Sequence, residues 1–254
     1  MTGDAPWLFL SPHLDDAVLS CGALIEAQSQ ERRIIVATIF TEAQPPPHTR
    51  AARSYVRQCT IPDAGELFEA RQSEDRAVLQ ELGVESIHLG EVDALFRRRR
   101  KPPMVGSSVW EGLLPELTHR YPSYRFDIAM GRIAKGDLAL IGQLRADVAA
   151  LIARTQAELL FCPAGVGKHV DHLMTREIGM GHPENVVMYS DFPYDLVAAP
   201  DRTYMSKMGF VPWTWDTGLD AKPARIRQYL TQADALFPDG DIPVNPETYY
   251  VPGP

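Results

Sequence analysis

Two short stretches of this chain gather residue types that can do chemistry. His13-Leu-Asp15-Asp16 comes directly after the apolar run Trp7–Leu10, and His169-Val-Asp171-His172 follows the apolar run Glu158–Pro163 and a turn with two glycines. Imidazole and carboxylate at such spacing offer ligands to a borderline cation, with further groups beside it for proton transfer. His13, Asp16 and His172 could make a two-histidine, one-carboxylate set with open positions for water and substrate. That set suits a catalytic zinc, and iron(II) also accepts it. Asp15 and His169 are then left beside the metal for proton work. Each half alone is weak. A His-x-x-His pair is common on helix surfaces, and Asp15-Asp16 could be a helix cap followed by a first-turn carboxylate. The force of the pattern is that both clusters sit directly after buried strands.

The elements that must position them alternate. Trp7–Leu10 reads as a buried strand, Ala17–Glu26 as a helix packed on a sheet, and Arg33–Phe40 as a second parallel-type strand. Arg71–Leu82 is amphipathic and stops at Gly83, and Ser86–Leu89 is a short third strand. A long helix opens near Asp137, a potential cap, with Leu138, Ile141, Leu144, Val148, Leu151 and Ile152 on one face. Glu158–Pro163 and Val186–Tyr189 supply two more strands, and Pro223–Leu236 a last helix. This is the pattern of an α/β layered sandwich with a mostly parallel central sheet, in one domain spanning residues 1–254. Ligands of such sheets bind outside the carboxyl ends of the strands, where both motifs fall. A strand–turn–helix start of dinucleotide type would need Gly-x-Gly-x-x-Gly after the first strand, and none is there. Residues 41–70 and 90–136 read as long irregular rim segments, and such lengths are usually functional.

Composition narrows the classes. At 254 residues with a net charge of −8, a nucleic-acid role has little electrostatic support. The basic run Arg97–Lys101 reads as a solvated loop before Pro102-Pro103. Three scattered cysteines suit reduced thiols in a cytoplasmic protein, with no membrane-length apolar stretch. Cys162 reads as a core thiol, His88 as a strand-end residue, and His48, His119 and His182 as loop or surface.

At the two metal motifs the chain resembles the PIG-L/LmbE-like family of zinc-dependent de-N-acetylases. The similarity continues through Arg71-x-x-Glu74-Asp75 with Leu82-Gly83, through Leu89-Gly90 with Asp93, and through Tyr189-x-Asp191-x-Pro193-Tyr194. Lys222 and Tyr229-Leu-Thr-Gln232 resemble its last helix. Two departures stand out: Leu14 replaces the usual proline, and Ala17 an acidic residue. The resemblance implies a Rossmann-like fold and a single zinc ion, replaceable by other divalent metals, on His13, Asp16 and His172. It implies Asp15 as general base toward the hydrolytic water. His169 would polarise the amide oxygen or protonate the leaving amine, with Asp171 holding its ring. Arg71 and Asp93 fall where the family contacts its sugar.

The function expected is therefore removal of an N-acetyl group from an amino-sugar-containing small molecule, a glycosylated metabolite of natural-product biosynthesis. The competing expectation is a zinc amidase that cleaves a larger acyl or peptide-like amide with the same machinery. A carbohydrate-binding module with a vestigial site is disfavoured, because every ligand and proton-transfer residue is kept. Trp110, Tyr121 and Tyr124 on the rim segments could stack on sugar faces, which would make the substrate larger than a monosaccharide.

Overall fold

The computed structural model describes residues 4–99, 114–129 and 131–253. Among these, seven strands form one sheet in the order β3-β2-β1-β4-β5-β7-β6. They are β1 (Trp7–Ser11), β2 (Ile34–Glu42), β3 (Glu85–Val92), β4 (Leu159–Pro163), β5 (Val186–Tyr189), β6 (Phe210–Trp215) and β7 (Glu247–Pro252). The first five run parallel, β1 pairing Trp7 with Ile34 on one side and with Leu159 on the other. β7 is antiparallel to β5, and β6 to β7. The mostly parallel α/β architecture expected from the alternating pattern is therefore present, with an antiparallel edge that the sequence reading did not foresee. Its strands are short and carry Pro212 and Pro252, which weaken a strand signal.

Period-two alternation sets the layers. In β1, Leu8 and Leu10 point to one face and Phe9 to the other. The first face packs against Ile141, Leu144 and Val148 of α4 (Leu138–Thr155) and Met174 and Ile178 of α5 (Val170–Gly179). The second packs against Val18 and Ile25 of α1 (Asp16–Gln28) and Val78 and Leu79 of α3 (Ala64–Glu81). A third cluster covers the rim, where Leu14 meets Ala52, Val56, Phe68, Phe96 and Val170. Leu14, the departure from proline, is thus a fully buried packing residue.

Several expectations need correcting. Residues 41–70 are not irregular: they hold the end of β2, α2 (Arg50–Gln58) and the first turns of α3, which starts at Ala64 and not at Arg71. The exposed arginines of α2 hid its period. β3 extends to Val92, beyond the expected Leu89, before the short helical turns Pro115–Thr118 and Tyr124–Ile128. The helix expected over Pro223–Leu236 is broken into Lys222–Ile226 and Ala233–Leu236. Asp137 makes no side-chain cap to α4, because its carboxylate takes Arg97, Arg120 and Tyr121. Trp110, Arg100 and Lys101 lie outside the described residues. No helix among the described residues is long and apolar enough to cross a membrane.

α5 must lie close on β4 for its histidine to reach the rim. A Cβ built on Gly179, at the end of α5, would come within 2.6 Å of Cys162 Sγ and 2.7 Å of Cys162 Cβ. Gly179→Ala is therefore expected to cost about 1–3 kcal/mol by overpacking, read by urea unfolding. A loss below about 0.5 kcal/mol, the range of neutral surface changes, would show that α5 can retreat without strain.

Candidate metal and catalytic centre

The sheet order places β1 and β4 side by side at the point where the strand order reverses, so their carboxyl-end turns open on the same crevice. The β1 turn is locked by its own polar groups. Ser11 Oγ donates to the His13 carbonyl (2.6 Å) and accepts from Ala17 N–H (3.1 Å), while His13 N–H donates to Asp16 Oδ2 (2.9 Å). The β4 turn bends through Gly165 and Gly167, both at φ +78°, and a Cβ at Gly167 would strike the Tyr194 ring at 2.8 Å. It delivers His169 as the residue just before α5 and His172 into the crevice, as the spacing predicts.

Three atoms converge there. Asp16 Oδ2 lies 2.9 Å from His13 Nδ1 and 3.3 Å from His172 Nε2. Tetrahedral ligands about 2.1 Å from one ion stand roughly 3.4 Å from each other, so the spacing suits a shared cation. His172 Nε2 is buried without a hydrogen bond, an orphan that such an ion would satisfy. Behind each histidine sits a carboxylate. His172 Nδ1 is 2.6 Å from Asp191 Oδ1, and His13 Nε2 is 3.4 Å from Asp171 Oδ2. Carboxylates in that position fix the ring and raise the basicity of a ligand histidine. A second grouping, His13, His169 and Asp171, also lies within ligand distance, but the Asp171 oxygens are already taken by Arg97 Nη2 (2.7 Å) and Ala94 N–H (2.8 Å). The first set is the better cation site.

The local electrostatics agree. Burial by itself would lower the pKa of His13, but hydrogen bonds to Asp16 and Asp171 overcome it and raise the group to about 10. His172 is raised too, burial again being overridden, here by Asp16 and Asp191. The carboxylates that favour positive charge on these two rings would equally favour a divalent ion bound to them. Asp16 stays low despite its burial, because His172 and His13 face it.

Asp15 and His169, with His13 and Asp16, line a cavity of about 540 Å³. Burial lifts Asp15 to about 6, while Arg71, with Nη2 3.6 Å from Asp15 Oδ2, pulls it down. His169 is pressed well below its usual value by burial and by its two histidine neighbours. Its Nδ1 accepts the Asp171 N–H at 3.3 Å, which leaves the ring proton on Nε2. Arg71 and Asp93 both line the cavity. Asp93 lies 3.6 Å from His13 Nε2 and is raised by burial.

Asp171 differs from its expected place. Its carboxylate braces His13 and not His169, because Arg97 pins it from the opposite side and holds it low. The basic run therefore starts with a structural residue: Arg97 is 6% exposed and bridges Asp171 and Asp137. Tyr121 is buried and donates to Asp137, so it stacks on nothing in the cavity, whereas Tyr124 lines it. His119 is fully buried and not a surface residue, and His88 pairs with Asp75 at 2.8 Å. Asp191 and Tyr55 escaped assignment from sequence. An aspartate two residues past the end of a buried strand was the available signal for the first. Nothing local marks the second, whose hydroxyl accepts from Arg71 (2.8 Å) and donates to Gln232 (3.0 Å).

If Asp191 supports His172, Asp191→Asn should weaken zinc affinity about 10–100-fold with the fold intact, measured by competition with a chromogenic chelator. His172→Ala should abolish tight binding. Unchanged affinity in both would remove His172 from the ligand set.

The PIG-L family model, described as GlcNAc-PI de-N-acetylase, matches residues 8–181. The 2'-N-acetylparomamine deacetylase of Streptomyces fradiae is 27% identical over 216 residues, covering 81% of this chain and 64% of that protein. The chain thus spans just under two thirds of the length of that relative. The zinc-inhibited form of teicoplanin deacetylase aligns with a TM-score of 0.71 at 23% identity, over 96% of this chain and 97% of that one. A 4-carboxy-2-hydroxymuconate hydratase from Pseudomonas putida aligns with a TM-score of 0.53 at 13% identity, over 97% and 96% of the two chains. The fold by itself therefore does not name the reaction. The family model does more, since it covers well over half of the chain and both metal motifs: the protein belongs to the PIG-L family.

Proposed function

We propose that this protein is a zinc-dependent N-deacetylase of an N-acetylated amino-sugar glycoside. The observation that carries the reading is the convergence of ligand atoms from His13, Asp16 and His172 beside a cavity lined by His13, Asp15, Asp16 and His169. The 2'-N-acetylparomamine deacetylase and the teicoplanin deacetylase among the similar proteins support the substrate class. His13, Asp16 and His172 would hold a divalent ion, which when bound would supply Lewis-acid activation of water and of the amide carbonyl.

The chain's own groups do the rest. Asp15 is basic enough near neutrality to take a proton from the attacking water, since burial raises it and Arg71 keeps it ionised. His169, neutral with its proton on Nε2, donates a hydrogen bond to the carbonyl oxygen as that oxygen gains charge. As the water oxygen bonds to the carbonyl carbon and the C–N bond breaks, the proton held by Asp15 passes to the amine, leaving acetate and a free amino sugar. Of the two roles expected for His169, polarising the oxygen fits the neutral ring better than protonating the amine. The cavity walls come from Ser54, Tyr55 and Gln58 of α2, from Tyr124, and from Gln232 with Ala235 and Leu236, which leaves room for more than a monosaccharide. The setting is a cytoplasmic biosynthetic pathway.

The direct test is acetate release from a panel of N-acetylated glycosides, with free N-acetylglucosamine and longer N-acyl homologues beside it. Glycosides should lead. Faster release of longer acyl groups would move the reading to a broader amidase, and no release from any member would sink it. Asp15→Asn should keep its zinc and lose about 10²–10⁴-fold in kcat, and near-wild-type turnover would rule Asp15 out as base. Arg71→Met should shift the acid limb of the kcat/KM profile upward, because a positive charge that lowers Asp15 is gone. An unmoved limb would assign that titration to another group.

A further inference from the structure

α2 presents three faces. Ala52 and Val56 are buried in the rim cluster, and Ala51, Ser54, Tyr55 and Gln58 line the catalytic cavity. Rotated by one residue, about 100° around the helix, Arg50, Arg53 and Arg57 stand exposed at i, i+3 and i+7. They border a shallow, open surface depression that shares Ala51 and Ser54 with the catalytic cavity. Among the described residues these arginines form no ion pair, and α2 contains no acidic residue. Glu116 is the acid at this end. It accepts the Arg50 backbone N–H at 3.1 Å, and Arg53 helps to hold it ionised. Like charges at i, i+3 and i, i+4 oppose one another and cost helix stability. A chain of net charge −8 thus keeps an internally repelling basic stripe at the mouth of its catalytic cavity.

We propose that Arg53 and Arg57, with Arg50, form a subsite for an anionic group, a phosphate or carboxylate, on the part of the substrate beyond the amino sugar. This rests on the amino-sugar reading and narrows it. A substituent leaving the catalytic cavity along the shared Ala51–Ser54 edge would meet the guanidiniums, which can fold onto oxyanions. A polycationic aminocyclitol substituent would be repelled at the same place.

The test compares N-acetylglucosamine 1-phosphate, the neutral methyl glycoside and a 2-aminoethyl glycoside, by calorimetric binding to the zinc-loaded protein and by acetate release. The phosphate should bind about tenfold more tightly than the neutral glycoside, and the aminoethyl glycoside should bind most weakly. High salt should narrow the gap. In R53Q/R57Q the preference should fall to about twofold or less, and in R53E/R57E, which also guards against a merely unfolded variant, it should invert. Equal binding of all three ligands, or a charge preference that survives both variants, would overturn the subsite. Charge-selective binding without acetate release would keep the subsite and sink the deacetylase reading. Acetate release without charge selectivity would do the reverse.

Discussion

The constraint on which this structure turns is the burial of carboxylates at one rim of the sheet. Asp15, Asp16, Asp93, Asp171 and Asp191 are all at most 6% exposed, and among the described residues the guanidiniums that reach them are those of Arg71 and Arg97. Ionised groups removed from water are tolerated only when paired, hydrogen-bonded or bound to a cation. Here Asp171 takes Arg97 and a backbone N–H, Asp191 takes His172 and the Val166 N–H, and Asp16 takes the His13 N–H. His13, Asp16 and His172 meet among these carboxylates, and a divalent cation held there would share in their compensation.

The fold makes that concentration possible. Parallel strands present their carboxyl ends to one rim, and the helices that follow begin there, so their N-terminal partial charges favour carboxylates. Asp16 opens α1, and Asp171 lies in the first turn of α5. The reversal of strand order between β1 and β4 leaves a crevice instead of a covering connection. Arg97 then ties this rim to the start of α4 through Asp137, joining the catalytic layer to the outer one.

Around the fixed floor, the walls are separable modules. α2 and the broken C-terminal helices meet through Tyr55, Arg71 and Gln232, so one hydrogen-bonded chain links the cavity wall to the residue that tunes Asp15. Cavity shape and the basicity of Asp15 are in this way set by neighbouring side chains. A fold shared with a hydratase can thus host different reactions.

By itself the sequence determined the alternation of the parallel strands with helices and the two histidine–aspartate motifs, because both rest on local pattern: apolar runs at strand length, and histidines with carboxylates a few residues apart. It also determined that α5 begins after His169, since two glycines and an acidic first turn mark that boundary. Pairings across the chain were decided only by the tertiary structure. Arg97 looked like one member of a solvated basic run, and its burial depends on Asp171 and Asp137, 74 and 40 residues away. Whether Asp171 would brace His13 or His169 could not be read from a motif containing one of them. The ring it meets is set by the 158-residue separation that the β1–β4 pairing closes. The antiparallel edge and α2 were hidden for a related reason: β7 gains its partners from distant strands, and α2 is recognisable as a helix only once a cavity and a core claim two of its three faces.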